Sequence, residues 1–158
     1  MATKRTLHGR TPEPEVMSDE LEAESYDEAD FRRVNSAFVR RLGREVTKKR
    51  GRALDLGTGP GEIPLRFVES FPGWRVTAVD LSESMLERAD QAKRTHRHGD
   101  RVEFVRADAK SLATSTRYDL VFSNSLLHHL PNPDDLWAAL PGYVMRGGQV
   151  VVMDLRRP

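Results

Sequence analysis

The spacing of apolar residues changes character near residue 52. Upstream, Phe31, Val34, Phe38, Leu42 and Val46 recur at three- and four-residue intervals, which predicts one helix with a single apolar face, ending in the basic stretch before Gly51. Downstream, short apolar runs alternate with helical segments, the pattern of βα units that feed a parallel sheet. Strands are predicted at 53–56, 75–79, 102–105, 118–123 and 149–154, and helices at 61–71, 82–94 and 133–143. Phe71-Pro72-Gly73 and Arg146-Gly147-Gly148 mark the turns into the second and fifth strands. A further short helix is predicted from Ser18, a good N-cap, to Tyr26, with Asp19 and Glu20 in its first turn where carboxylates favour the helix dipole.

Composition narrows the classes. A chain of 158 residues fits one compact domain, organised as an N-terminal helical and lid segment (1–50) and an α/β core (51–158). The 25 Lys and Arg nearly cancel the 24 Asp and Glu, so the molecule carries no overall field for nucleic acid or an anionic membrane. Charge is polarised locally: residues 13–30 hold nine carboxylates and no Lys or Arg, whereas 40–52 is dominated by basic side chains. That basic stretch lacks the interleaved aromatics of a single-strand nucleic-acid platform, so it reads as surface. No apolar run is long enough to cross a bilayer, and the first residues lack a secretory h-region. Absence of Cys excludes disulfides, thiolate metal sites and cysteine nucleophiles, and fits a reducing cytoplasm, which is the expected location.

The most informative local pattern is Asp55-Leu56-Gly57-Thr58-Gly59-Pro60-Gly61-Glu62, placed where the first strand hands over to the first core helix. Three glycines at alternate positions let the main chain bend sharply and come close to a ligand, and the helix that follows offers unpaired N–H groups. Asp80 closes the second strand 19 residues after Gly61, where a carboxylate can accept both hydroxyls of a ribose lying over the strand ends. Asp108 closes the third. Three successive strands therefore finish on carboxylates at one sheet edge, the edge where doubly wound sheets bind ligands. A dinucleotide fingerprint would need G-x-G-x-x-G, whereas Gly57, Gly59 and Gly61 give G-x-G-x-G, which argues against a nicotinamide enzyme.

At these residues the sequence resembles the class I S-adenosylmethionine-dependent methyltransferases, small-molecule branch, over roughly residues 34–154. Asp55-Leu-Gly-Thr-Gly-Pro-Gly61 looks like the family's first motif, commonly D-L-G-C-G-x-G, with Thr58 at the frequent Cys position. Asp80 matches the ribose-holding acid, and Asp108-Ala109 the pair that reads the adenine amino edge. Tyr118-Asp-Leu-Val-Phe-Ser-Asn-Ser-Leu-Leu-His-His-Leu-Pro131 is similar to the fourth-strand motif, and Arg146-Gly-Gly-Gln-Val-Val-Val-Met-Asp154 to the fifth strand. The resemblance implies S-adenosylmethionine as cofactor and S-adenosylhomocysteine as product. It also implies that Asp55 and Gly57 sit near the methionine moiety, that Thr58 belongs to the cofactor-binding set, that Gly59 and Gly61 shape the loop, that Leu81 and Met85 flank the adenine, and that Asn124 lies beside the sulfonium. The implied fold is a three-layer, Rossmann-like, doubly wound α/β sheet with five parallel strands in the order 3-2-1-4-5, without the two strands that usually complete the family's sheet.

The fifth strand, Val150-Val-Val-Met153, reads as buried on both faces, so ending there leaves an apolar edge that invites pairing. Either the chain is a fragment or truncated form, or a homodimer or a partner chain covering that strand is expected. For chemistry, His128 and His129 just beyond the fourth strand are candidate general bases. Neighbouring helical residues project about 100° apart, so one of them, His129 by preference, is expected to face the pocket. The same divergence argues against a two-His metal site, and no metal is expected. The acceptor is read as a small molecule by elimination, since the Ser123-Asn124-Ser125-Leu126 turn lacks the Pro-Pro-aromatic pattern that DNA-base methylating enzymes share. The rival reading is a non-catalytic module that binds S-adenosylmethionine and acts through a partner or a second copy.

Overall fold

The computed structural model describes residues 31–154. The predicted helix at 18–26, most of the 1–50 segment and the last four residues lie outside the described residues. Helix α1 (Phe31–Glu45) leads into β1 (Gly51–Leu56), α2 (Glu62–Ser70), β2 (Trp74–Asp80), α3 (Glu83–Thr95) and β3 (Val102–Arg106). The chain then crosses to β4 (Tyr118–Asn124), α4 (Asp134–Ala139) and β5 (Val144–Met153). All five strands pair in parallel in the order β3-β2-β1-β4-β5. Strand order reverses between β1 and β4, so the crevice outside their carboxyl ends is the topological switch point.

Alternation along the central strand builds two cores. Ala53 of β1 faces the layer of Phe38 and Leu42 from α1 and Leu65, Phe67 and Val68 from α2, with Trp74, Val76 and Phe122 completing it. Leu54 and Leu56 face the opposite layer, where Val79, Val121, Leu130, Leu136 and Tyr143 gather. Near-continuous apolar strands are what a sheet covered on both faces requires. Phe67 is the hub of the first layer, meeting Phe122 at 5.6 Å and Trp74 edge-on at 5.7 Å between ring centroids.

Four local expectations change. Val34, assigned to the apolar face of α1, is 46% exposed, and the buried face runs through Asn35, Phe38, Val39 and Leu42 instead. The predicted 133–143 helix is α4 followed by a tight 3-10 turn at Leu140–Gly142. Pro141 supplies no amide proton there to continue an α-helix. β5 starts five residues before Gln149, because Arg146-Gly147-Gly148 is a bulge within the strand and not a turn before it: pairing jumps from Tyr118↔Val144 to Leu120↔Gln149, with Gly147 at φ +78°. Finally, β5 is an edge of the sheet among the described residues, and it is not buried on both faces. Val151 and Met153 pack on the α1/α2 layer, while Val150 remains 39% exposed. No described helix is long and apolar enough to cross a membrane.

Candidate functional site

The bend after β1 is fixed from both sides. The amides of Gly57 and Thr58 both donate to the Val79 carbonyl at 2.9 Å, and Ser123 Oγ on β4 donates to the Leu56 carbonyl at 2.9 Å. Gly57 has φ +76°, and a β-carbon there would fall 2.9 Å from the Leu126 side chain. Gly61, at φ +81°, is the N-cap of α2, and a β-carbon there would strike Phe104 at 2.6 Å and Ala89 at 2.9 Å. The first glycine therefore lets the bend pass under the β4 loop, and the last lets α2 seat against α3 and β3.

Asp80 ties that bend to the end of β2. Its Oδ2 accepts the Gly59 amide at 2.8 Å and its Oδ1 accepts the Ser82 amide at 2.9 Å, while Ser82 Oγ caps α3 by accepting from Met85 N at 3.3 Å. Burial raises the Asp80 pKa, opposed by those amides and by the nearby His129. Asp55 is more extreme: complete burial pushes its pKa up to about 7, with Thr58 lowering it and the Asp80 charge raising it further. The Thr58 side chain interacts with the Asp55 carboxyl, yet neither Asp55 Oδ2 nor Thr58 Oγ1 completes a hydrogen bond of ordinary geometry within the protein. Asp108, after β3, accepts the Lys110 amide at 2.8 Å and holds the Lys110 ammonium at 3.1 Å. Beside it, the buried Tyr143 hydroxyl donates to the Ala109 carbonyl and accepts the Leu112 amide, each at 2.9 Å, which sets the 107–112 loop.

The facing wall comes from the end of β4. Ser125 takes a left-handed conformation, φ +60°, and its amide donates to the Met153 carbonyl at 2.8 Å, so the chain turns back over the cleft at that residue. His128 and His129 lie in the 3-10 turn Leu127–His129, and against the expectation that they project apart their rings are in contact, centroids 4.1 Å apart and tilted by 38°, although only His129 reaches the cleft. His128 is buried against Asp154, Nδ1 to Oδ1 at 2.7 Å, and Asp154 Oδ2 also accepts the Leu127 amide at 2.6 Å. His129 enters the cleft wall.

The result is a cleft outside the carboxyl ends of the central strands, where doubly wound sheets bind ligands. Gly57, Gly59, Asp80, Leu81, Met85, Asp108, Ala109, Asn124 and His129 line it, as do Ser125 and Leu126. Asp55, Thr58 and Gly61 are not in its lining: they are buried and form the support behind the glycine bend. His128 is also outside the lining. Sequence reasoning missed Ser125, because a left-handed serine carries no local signature. It also missed the Tyr143 and Asp154 anchors, which act across 31 to 34 and 26 to 27 residues of chain respectively.

A doubly wound parallel sheet with a glycine bend and acidic strand ends around its switch-point cleft defines a Rossmann-like ligand-binding domain. A family model described as "Methyltransferase domain" matches residues 53–148. Trans-aconitate 2-methyltransferase of Streptomyces coelicolor is 37% identical over 95 residues, which is 60% of this chain and 30% of that protein. Among solved structures, a DhpI–S-adenosylhomocysteine complex matches with TM-score 0.64 at 30% identity, covering 84% of this chain and 64% of that one. The glycopeptide N-methyltransferase MtfA, solved with S-adenosyl-L-methionine, shares the fold with TM-score 0.68 at 24% identity, over 75% of this chain and 53% of that one. The chain belongs to this methyltransferase family, the class I S-adenosylmethionine-dependent group. It spans about a third of the length of the curated relatives it matches.

Proposed function

We propose that the cleft binds S-adenosylmethionine and that the protein transfers its methyl group to a small-molecule acceptor by in-line displacement, leaving S-adenosylhomocysteine. One observation carries this reading: Asp80 and Asp108, at the ends of β2 and β3, line one cleft together with Gly57 and Gly59 of the bend, while Asp55 of β1 is buried behind that bend. In this reading Asp80 accepts the ribose hydroxyls, its carboxylate held for them by the Gly59 and Ser82 amides. Leu81 and Met85 sandwich the adenine, and Asp108-Ala109 meets its amino edge. The buried pair Asp55 and Thr58 fits a cofactor that carries an ammonium group, since a cation brought to the bend, directly or through a water, would satisfy Asp55 Oδ2. The DhpI and MtfA structures, with bound S-adenosylhomocysteine and S-adenosyl-L-methionine, support the same ligand.

The cofactor, when bound, supplies an electrophilic methyl on a sulfonium. The protein's part is mainly alignment: holding two reactants in line can lower a barrier by about 7 to 11 kcal/mol, against roughly 3 to 5 for a positioned base. His129 is the base for an acceptor that must lose a proton, because it lines the cleft while His128 is engaged by Asp154. Pairing of a second chain along the β5 edge and a cytoplasmic location complete the reading.

Isothermal calorimetry with S-adenosylmethionine tests the cofactor, and incubation with labelled cofactor and a panel of small acceptors tests transfer. Heat of binding with label moving to an acceptor is expected. No heat overturns the whole reading, and binding without transfer to any acceptor replaces it with the non-catalytic module. Light scattering that shows only monomer removes the pairing.

A further inference from the structure

α1 carries a buried amide in an otherwise apolar face. Asn35 is 4% exposed beside Phe38 and Val39, a placement that costs free energy unless both ends of the amide are used. Both are. Asn35 Nδ2 donates to Glu62 Oε2 at 2.7 Å, and Asn35 Oδ1 accepts from Asn124 Nδ2 at 3.5 Å. Glu62 is the first residue of α2, directly after the glycine bend, and it is held in turn by Arg66, whose Nε donates to Oε1 at 2.8 Å and whose Nη1 donates to Ser36 Oγ at 3.1 Å. Asn124 is 7% exposed and lines the cleft.

The chemistry of this chain has a direction. A carboxylate only accepts, so Glu62 compels Asn35 to present its NH₂ to it. The Asn35 carbonyl is then the end left for Asn124, which must offer its own NH₂. Asn124 Oδ1 is thereby turned away from α1 towards Ser125, whose Oγ donates to it at 3.4 Å and which also lines the cleft. Reversing Asn124 would leave two carbonyls facing each other in a buried place.

We propose that Asn35, anchored by Glu62, is a positioning residue that fixes the Asn124 amide with its carbonyl oxygen towards the methyl-donor sulfonium. This rests on the proposed cofactor. A carbonyl dipole directed at a cation attracts it, whereas the opposite face of the amide would repel it. S-adenosylhomocysteine has the same shape without the charge or the methyl. The relay therefore favours donor over product, a distinction that packing of α1 alone does not make.

The test is the ratio of affinities for S-adenosylmethionine and S-adenosylhomocysteine, measured by calorimetry on the full chain and on Asn35→Leu and Glu62→Gln. Glutamine keeps the size of Glu62 but can either donate or accept, so it removes the compulsion without opening a hole. Asn35→Leu is expected to weaken S-adenosylmethionine about tenfold and S-adenosylhomocysteine by less than about threefold, with Glu62→Gln shifting the ratio the same way to a smaller extent. Equal losses for the two ligands, or unchanged affinities, overturn the assignment. Should Asn35→Leu fail to fold, Glu62→Gln decides alone. A wild-type chain that binds neither ligand overturns the proposed function itself, whereas intact wild-type binding with an unchanged ratio overturns only the relay.

Discussion

The Gly59 amide and Asp80 Oδ2 meet at 2.8 Å, and through that contact the bend after β1 and the end of β2 hold each other in place. A residue expected to face a ligand is thus also a structural clamp. Asp80→Ala is expected to lower affinity for S-adenosylmethionine by at least about tenfold, since it removes a charged acceptor and frees the bend. Asp80→Asn keeps an acceptor for one of the two amides and should lose less. Calorimetry on both variants, with circular dichroism to verify the fold, separates the ligand contact from the clamp. An Asp80→Ala chain that folds and binds as tightly as wild type would remove Asp80 from the ribose role.

Asp55 makes stability depend on pH in an unusual direction. Its folded pKa, about 7, lies above the ordinary value of 3.8, so between those values the folded state binds more protons than the unfolded chain and stability falls as pH rises. The favourable contribution is complete below about pH 4 and is lost on passing through pH 7, an effect on the order of 4 kcal/mol. Asp80, also raised, adds in the same direction. Asp119 does not compete in this window. Despite desolvation, its pKa is lowered by Lys48 and the Arg52 amide, so stability from it is lost only as pH falls below the ordinary carboxylate range. Urea unfolding of the ligand-free protein should give a higher midpoint at pH 5.5 than at pH 8, and Asp55→Asn should flatten that difference.

Gly61→Ala is expected to destabilise by about 2 kcal/mol or more, through the positive φ and the overlap with Ala89, a neighbour that has no side chain to swing away. Denaturant titration reads this directly. A Gly61→Ala variant as stable as wild type would mean that α2 and α3 can separate at little cost.

The two adjacent histidines should separate experimentally. His129→Ala is expected to lower turnover on an acceptor that must be deprotonated by about 10² to 10⁴-fold, with cofactor affinity within a few-fold of wild type. His128→Ala should act on stability, because it strands the Asp154 carboxylate that also receives the Leu127 amide. Steady-state kinetics beside thermal melts check the pair; a large kinetic effect from His128 with little from His129 would reverse their roles.

Tyr143→Phe removes one hydroxyl that serves both the Ala109 carbonyl and the Leu112 amide, and leaves that buried carbonyl without its donor. A loss of about 1 to 3 kcal/mol in unfolding free energy is expected, read from urea midpoints.

Much of this molecule is legible from sequence because its strands and glycine bend obey local rules. Predicted and observed ends of β1 to β4 agree within two residues at each end, since alternating βα units, Pro-Gly turns and apolar runs are contiguous signals. What escaped depends on contacts between distant segments. The bulge at Gly147 looks like a turn until β4 is beside it. On α1, Asn35 is buried where Val34 was expected, and its partner there is Glu62, 27 residues on, which the helical period does not reveal. In the cleft, the acids at the strand ends follow from chain order, whereas Ser125, Tyr143 and Asp154 follow only from the folded surroundings.

The crossing from β3 to β4 has a last consequence. The cleft draws on residues 57–59, 79–85, 107–109 and 124–130, so no short contiguous fragment of the chain contains it, and a ligand meets its site only once the sheet has closed around β1. Occupancy then reports completion of folding, and a molecule cut within the β3–β4 crossover should forfeit recognition and cooperative melting together.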